Sequence, residues 1–555
     1  MNHFPQQLAS LSTPPVGQER REDKIASSEV QVFHNRTLPD ASIIQVLIDH
    51  FFSCTGTLFY IFSPHDANEL LRQVYMDDDS ATKALLGALC GLAAVASQCD
   101  DNAVIDIALR QSYYETAKAY LDDCIEEDEV LGMRVLCCLA IYCAMDKRRA
   151  AWTWILTGLE LARIRGLHLE TPPPSTSPEN WIVQRKVLRT LIFLACWFSS
   201  TLGRSPEILG EFKLGFESFT VHEDSPSVES IAQEQMTSIG VLTAGILQDV
   251  FLPNELSFIA TRTYKLKLLG WFSELPAVMQ LDSLLHNHSL TLVQRRSIFL
   301  VHLNYLGALL LLYRRHAIYL STIHRDDSWK LDGDVDEALN YAKDAVQAAT
   351  QSSRIFALLL SEQALFKRCW LVTYQSFSAC TLLLFHLAQK RLHLAPPSDC
   401  EEDLSSALSC LKALEFCAEG DVVARGYYDM LMFYYRSLLA SHEDSAMQDV
   451  STATPDQVAE GVSHIINHAA FEQDWRDDLV PPTQVSNFIR REMPGAATGS
   501  RSMILRRAAV YENPPAIGGP SVVGQFNASS LAGLQASENR TDGGGPGCGI
   551  GRGIE

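Results

Sequence analysis

Apolar residues recur along this chain at the three-and-four spacing of a helix, and strand-like alternation is scarce. Tyr114, Ala117, Leu121 and Cys124 fall on one such face, and Leu188, Leu191, Ala195, Phe198 and Leu202 on another. The stretch Ala150 to Arg165 stacks Gly158 and Ala162 one turn apart, so its face admits a close helix neighbour. Gly166 suits a left-handed cap there, with Leu167 closing the end against a core. TPPPSTSPEN, at 171–180, breaks the chain. Ser177 as N-cap and Pro178 at the first helical position predict a new helix. It should end at Gly203-Arg204-Ser205-Pro206, because glycine permits the cap and Pro206 cannot donate to a continuing ladder.

Polar breaks near 204–232 and 322–335 follow, and the strongest apolar run, Ile298 to Tyr313, lies between them. His302 and Asn304 interrupt that run and Arg314 and Arg315 follow it, so it reads as a buried core helix well short of a membrane span. Further helical runs cover about 336–390, 399–418 and 421–442, with Ser398 and Glu401 spaced as a capping box. No fixed-period repeat is present. The expected fold is therefore all-α, a large body of packed antiparallel helices over 41–445. A partly helical acidic segment should follow at 446–492. Residues 1–40, polar with Pro and Ser, and 493–555, rich in Gly, Ser and Ala, are expected to be disordered. No strand precedes the terminal glycines and no helix follows them, so they make no phosphate loop.

Charge narrows the function classes. With 45 Lys+Arg against 66 Asp+Glu the formal charge is −21, and a surface of that sign repels phosphate. DNA binding by the body's surface as a whole is thereby disfavoured. None of the 14 cysteines stands in a C-x-x-C pair, and Cys137, Cys138, Cys143, Cys196 and Cys380 sit inside apolar runs, where a thiol behaves as a small hydrophobe. They read as free thiols of a reducing compartment. MNHFPQQLASLSTPPVGQERRED carries no apolar h-region, so a secretory route is not expected, and the Asn-x-Ser/Thr sites at Asn35, Asn287, Asn527 and Asn539 read as chance.

The order of segments resembles the middle homology region of the fungal-specific, binuclear zinc cluster transcription factors. LIDHFFSCTGTLFYIFSP, the small-residue helix LLGALCGLAAVAS, and SYYETAKAYLDDC followed by VLGMRVLCCLAIYCAM occur in the family's order. The most specific block is AWTWILTGLELARIRGLHLE, ending in Gly166-Leu167-His168. RKVLRTLIFLACWFSSTLGRSPEI follows, with Ser199, Gly203 and Arg204 matching the pattern. Leu188 and Arg189 replace a usual tryptophan pair, Ala195 and Cys196 replace a usual Asp-Arg, and Ser205 intervenes before Pro206. VHLNYLGALLLLYRRHAIYL and CWLVTYQSFSACTLLLFHL are similar to later core helices of the same proteins.

The resemblance implies a nuclear transcriptional regulator of a metabolic or secondary-metabolite gene set. The family's DNA-reading module, six cysteines holding two zinc ions, would lie ahead of this region. No cysteine precedes Cys54 here, so zinc is expected only if such a cluster is encoded upstream. Promoter DNA would then be reached through that cluster or through a partner factor. Other expected partners are coregulators or the transcriptional machinery. The reading leaves room for a small-molecule effector and a homodimer, and expects no membrane. An effector implies a pocket among the core helices, which the sequence does not locate.

Rival chemistries find less support. Asp77-Asp78-Asp79, and Asp122-Asp123 with Glu126, Glu127 and Asp128, resemble the acidic helix of a terpene cyclase but lack its partner helix, and read as solvated helix ends. His464, His468 and Glu472 fall on one helical face without a further ligand. His286 and His288 read as loop residues. Lys147-Arg148-Arg149 and Arg314-Arg315-His316 are too short for a DNA-binding stripe and read as cations at helix ends. The segment Phe471 to Leu479 mixes acids with Phe471 and Trp475, a composition that suits either an activation peptide or a surface helix. No G-x-S-x-G elbow, Walker loop or Ser/His/Asp set occurs. The expectation is a non-enzyme, with no catalytic, cofactor-binding or metal residue assigned.

Overall fold

The computed structural model describes residues 30–443 apart from 35–36, 77–81, 100–104, 170, 174–175, 204–225, 254–255, 324–333 and 393–394. All of them belong to the first of two units, Met1–Ala497 and Thr498–Glu555. Among the described residues there is no strand, and the fold is all-α. The expected tails, the acidic segment 446–492, Asp77 to Asp79, the His464/His468/Glu472 set and the Phe471 to Leu479 segment lie outside the described residues.

The first half comprises α1 (Ala41–Ser53), α2 (Pro64–Met76), α3 (Lys83–Gln98), α4 (Ile107–Ala119), α5 (Leu121–Glu127), α6 (Glu129–Met145), α7 (Ala150–Ile164) and α8 (Pro178–Leu202). Helix α3 is its hub, packing on α1, α2, α4, α5 and α6. It can touch so many neighbours because its sequence is Ala- and Gly-rich all round, and every residue except Lys83 and Leu85 is buried. Helix α6 is apolar on all sides for the same reason.

The second half comprises α9 (Val228–Ile246), α10 (Phe258–Ser273), the single turn α11 (Ser283–His286), α12 (Leu292–Ile323), α13 (Asp334–Ser361), α14 (Trp370–Leu392), α15 (Glu401–Ala418) and α16 (Val422–Glu443). Helix α9 bridges the halves by packing on α8 and α12, and α12 to α16 then pack in sequence order.

The caps follow the sequence where glycine and proline dictate them. Gly166 takes φ +74° and Gly203 φ +60°, left-handed conformations that side chains resist. Behind Gly166, the Leu167 N–H donates to the Ala162 carbonyl at 3.0 Å and the Leu167 side chain is fully buried. Ser177 accepts the Asn180 N–H with Pro178 next to it, as expected. Helices α7 and α8 then meet closely: a Cβ on Gly158 would lie 2.7 Å from Leu191 Cδ2.

Several expectations are corrected. The Ser398/Glu401 capping box does not form, because Pro397–Cys400 tightens into a 3-10 turn and Glu401 itself opens α15. Ser398 Oγ donates instead to Asp399 Oδ1 at 3.2 Å. The run 336–390 is two helices, parted between Ser361 and Trp370 where Gln363 takes φ +53°. The break after Gly203 is shorter than expected, since Ser227 caps α9 at Val228 by accepting the Ser230 N–H at 3.1 Å. Leu202, which shares the helical face of Leu188, Leu191, Ala195 and Phe198 in the sequence pattern, is 43% exposed at the end of α8. His286 closes the single-turn α11 rather than lying in a loop.

The apolar run Ile298 to Tyr313 is buried as expected, but its helix is longer than the run. By length and composition Leu292–Ala317 and Trp370–Leu392 are each sufficient to cross a membrane. In this fold 83% and 89% of their apolar windows are covered by other helices.

A candidate binding cavity between four helices

Helices α8, α9, α12 and α14 converge where the two halves meet, and they do not close completely. They leave a cavity of about 40 Å³. Since roughly 10–15 Å³ admits one water, it has room for about three.

One wall is aromatic. Phe193 and Trp197 from α8 and Tyr374 from α14 contribute it. Trp197 is held edge-on, 4.3 Å between ring centroids from Trp370 and 5.9 Å from Tyr374. The lining also includes polar, uncharged side chains, Thr243 of α9, Asn304 of α12 and Gln375 of α14. Gly307, one turn along α12 from Asn304, has no side chain and makes room for the Gln375 amide against the helix.

The amide orientations follow from their partners. Asn304 Nδ2 donates to the Leu300 carbonyl at 2.8 Å, and a carbonyl can only accept. Ser352 Oγ donates its proton to the Ala348 carbonyl, so toward Gln375 it offers a lone pair, and Gln375 Nε2 donates to it at 3.1 Å. Both amide oxygens are thereby the free ends, and among the described residues no donor is bonded to either. Gln375 is 5% exposed, and its Oε1 lies within 2.8 Å of where a Gly307 Cβ would stand. The hydroxyls also turn their lone pairs outward, since Ser200 Oγ donates to the Cys196 carbonyl at 2.9 Å and Thr243 Oγ1 to the Ile239 carbonyl at 2.8 Å. The cavity is therefore lined by uncharged acceptors together with aromatic rings, of which Trp197 and Tyr374 also carry donors.

A second polar centre sits at the other junction of the halves. Asp146, just past α6, accepts Gln98 Nε2 at 3.2 Å and Arg368 Nη2 at 2.8 Å on Oδ1, and Arg148 Nε at 3.0 Å on Oδ2. Burial raises its pKa, but the Arg368 and Arg148 guanidiniums outweigh that and hold the carboxyl below its ordinary value. Lys147, at φ +56°, pairs with Asp421 at 2.8 Å, and Asp421 in turn caps α16 through the Val423 N–H. Two of the three basic residues, Lys147 and Arg148, thus pair with carboxylates of the fold, while Arg149 is exposed.

Arg314-Arg315-His316 lies inside α12 rather than at its end. Arg315 still caps a helix terminus, but another one: Nη1 donates to the Val250, Phe251 and Pro253 carbonyls at 2.8, 3.1 and 2.7 Å, where a π-helical turn, Leu247–Phe251, ends α9.

Where the resemblance block departs from the family's pattern, the structure shows what replaces it. Ala195 and Cys196 are fully buried apolar packing, and Arg189, 2% exposed, pairs with Glu234 of α9 at 3.1 Å. Asp122 in the first turn of α5 and Glu126, Glu127 and Asp128 at its other end are exposed, and Asp128 caps α6. Among the described residues no group of three or more His, Cys, Asp or Glu is placed to hold a metal ion. The thirteen described cysteines are free and buried, and burial pushes the Cys369 thiol up to about 11.

Sequence reasoning assigned no cavity residue, because its lining comes from four helices up to 182 positions apart in the chain, Phe193 to Gln375. One signal was available. Asn304 and His302 were the two polar interruptions of the strongest apolar run. His302 proves to bond the Met279 carbonyl at 2.8 Å, and Asn304 faces the cavity.

No family model, no curated protein and no solved structure matches this chain.

Proposed function

We propose that this chain is the regulatory body of a nuclear transcriptional regulator of the fungal-specific type, controlling a metabolic or secondary-metabolite gene set. The observation that carries the reading is the most specific resemblance block. Its helix, α7, and the helix of the block that follows it, α8, are neighbours that meet at Gly158 and Leu191, and each ends at a left-handed glycine, Gly166 and Gly203. The two blocks therefore have a structural reason for the small residue of the first and for the terminal glycine of each.

Regulation on this reading is allosteric: a ligand or partner that binds one packing of the helices better than another shifts the population between them. Promoters are reached through a zinc cluster encoded upstream or through a partner factor. The charge of −21 favours the partner route, since the acidic body adds nothing to DNA affinity.

The test is to tether the full chain to an unrelated DNA-binding domain upstream of a reporter and to locate the untethered protein in cells. A change in reporter output of several-fold in either direction, with nuclear localisation, is expected. Unchanged output together with exclusion from the nucleus refutes the proposal.

A further inference from the structure

We propose that Cys54 and Cys99 form a redox pair, a modification site at which a peroxide converts two thiols into a disulfide. The inference goes beyond the regulatory reading and does not depend on it.

Exposure singles the pair out. Of the thirteen described cysteines ten are 0% exposed and Cys369 is 1% exposed, whereas Cys99 keeps 7% and Cys54 4% of its surface. An oxidant dissolved in water therefore meets these two sulfurs before those of the other described cysteines.

Position makes them partners. Cys54 closes α1 and Cys99 closes α3, two helices that pack on each other. The Thr55 hydroxyl bridges them, 3.2 Å from Cys99 Sγ and 3.9 Å from Cys54 Sγ, hydrogen-bonding distances for sulfur. Both cysteines stand on caps and not inside a helical turn, so bringing the sulfurs together asks for side-chain rotation and adjustment of two chain ends, while the helices stay in place.

With hydrogen peroxide as the oxidant the reaction balances. The thiolate of Cys99, the more exposed of the two, attacks one peroxide oxygen. An S–O bond forms as the O–O bond breaks, and the departing hydroxide takes a proton and leaves as water. The Cys54 thiolate then attacks the sulfur of the resulting sulfenic acid. The S–S bond forms, the S–O bond breaks, and the second hydroxide leaves as a second water. The two thiols have lost two electrons and two protons, and the peroxide has taken them up.

The surroundings set the rate. Burial first, and then Cys99 beside it, raises the Cys54 thiol well above its ordinary value, and the charge of Arg296, whose Nη1 donates to the Ser53 carbonyl at 2.7 Å, works against that rise. Thiolate is scarce at neutral pH, so the pair reacts slowly and registers sustained exposure to peroxide. In an ordinary reducing compartment it stays in the thiol form. The link, once made, ties the end of α1 to the hub helix α3 and closes a loop in the unfolded chain, which makes the oxidised protein the more resistant to denaturant.

The experiment treats the purified, fully reduced full-length chain with hydrogen peroxide, blocks the remaining thiols with N-ethylmaleimide in denaturant, and maps disulfides by mass spectrometry of the digest. The Cys54–Cys99 link should form first and exceed any other pair by roughly tenfold. Dithiothreitol should reverse it, and the oxidised chain should unfold at a higher denaturant midpoint than the reduced one. Cys54→Ser and Cys99→Ser should each remove both the link and the midpoint shift, and Cys369→Ser should keep both. The absence of any link, links spread over several pairs, Cys54 joined mainly to Cys369, or a link that forms only in denaturant overturns the proposal. Mapping on the unaltered chain decides by itself, so a serine variant that fails to fold does not spare the proposal.

Discussion

Replacing Asp146 by alanine tests the clasp that joins residues far apart in sequence. In the native fold its carboxylate receives Gln98 from α3, Arg148 beside it, and Arg368 from the segment before α14. Removing it leaves two guanidiniums without that partner. Breaking a fully buried pair costs about 3–5 kcal/mol and breaking an exposed one about 0–1. The side chains of Asp146, Arg148 and Arg368 are 9%, 31% and 18% exposed, so both arginines can recover some hydration. The expected loss for Asp146→Ala is therefore about 2–3 kcal/mol, read as a lowered denaturant midpoint. Additivity supplies the sharper assay. Arg368→Ala alone should also destabilise, and the double variant should cost less than the two singles combined, with a coupling of about 1–2 kcal/mol. The sign of the acid response follows from the depressed carboxyl. Its contribution is complete above the ordinary aspartate value of about 4 and is lost as pH falls through the lower folded value. Strict additivity of the two substitutions would refute the clasp, whatever the size of the single effects.

Other outcomes are expected from the same geometry. Gly158→Leu drives a side chain into Leu191 and should lower stability by about 1–3 kcal/mol, so an unchanged melting temperature would show that α7 and α8 are not in close contact. Burial holds His302 and His386 at about 4, far below the ordinary histidine value. The unfolded chain then binds protons that the folded one refuses, and stability should fall as pH drops from about 6.5 to 4, by at most roughly 1.4 kcal/mol per pH unit for each histidine. If His302→Gln leaves the difference between denaturant midpoints at pH 7 and pH 5 unchanged, the buried neutral histidine is not responsible. Thiol titration of the native protein should find no fast-reacting cysteine among the thirteen buried ones, with all 14 reacting after unfolding. Rapid modification of any of the thirteen in the native state contradicts the packing.

The helices were legible where chemistry is local. Gly166, Ser177-Pro178 and Gly203 each impose a backbone conformation by themselves, and the structure has each cap where the residues demand it. Breaks made by tertiary contact were not legible. Nothing between Ser361 and Trp370 is a glycine or proline, so the division of α13 from α14 is invisible in the pattern. The break at Tyr120, which ends α4 and separates two halves of one apolar face, likewise has no local breaker. Its hydroxyl reaches back to the Phe33 carbonyl at 3.2 Å, a partner 87 positions away. Arg315 shows the same limit from the other side: cations at helix ends were the correct chemistry, but the end belongs to a different helix. The cavity was implied as a need and unlocatable as a place, because periodicity reports which face of a helix is buried and not what it is buried against.

The long helix α12 has a consequence for how the chain is made. Leu292–Ala317 is synthesised before the helices α13 and α14 that pack on it. At ordinary elongation rates the stretch from 324 to 392 takes roughly 3 to 14 s to follow. During that interval the nascent chain displays an apolar helix of 26 residues, long enough to be handled by membrane-insertion machinery as though it were a span. A product cut short between α12 and α13 would keep that signal permanently. Helices α13 and α14 therefore cover, once synthesised, an apolar stretch that the preceding part of the chain would otherwise present.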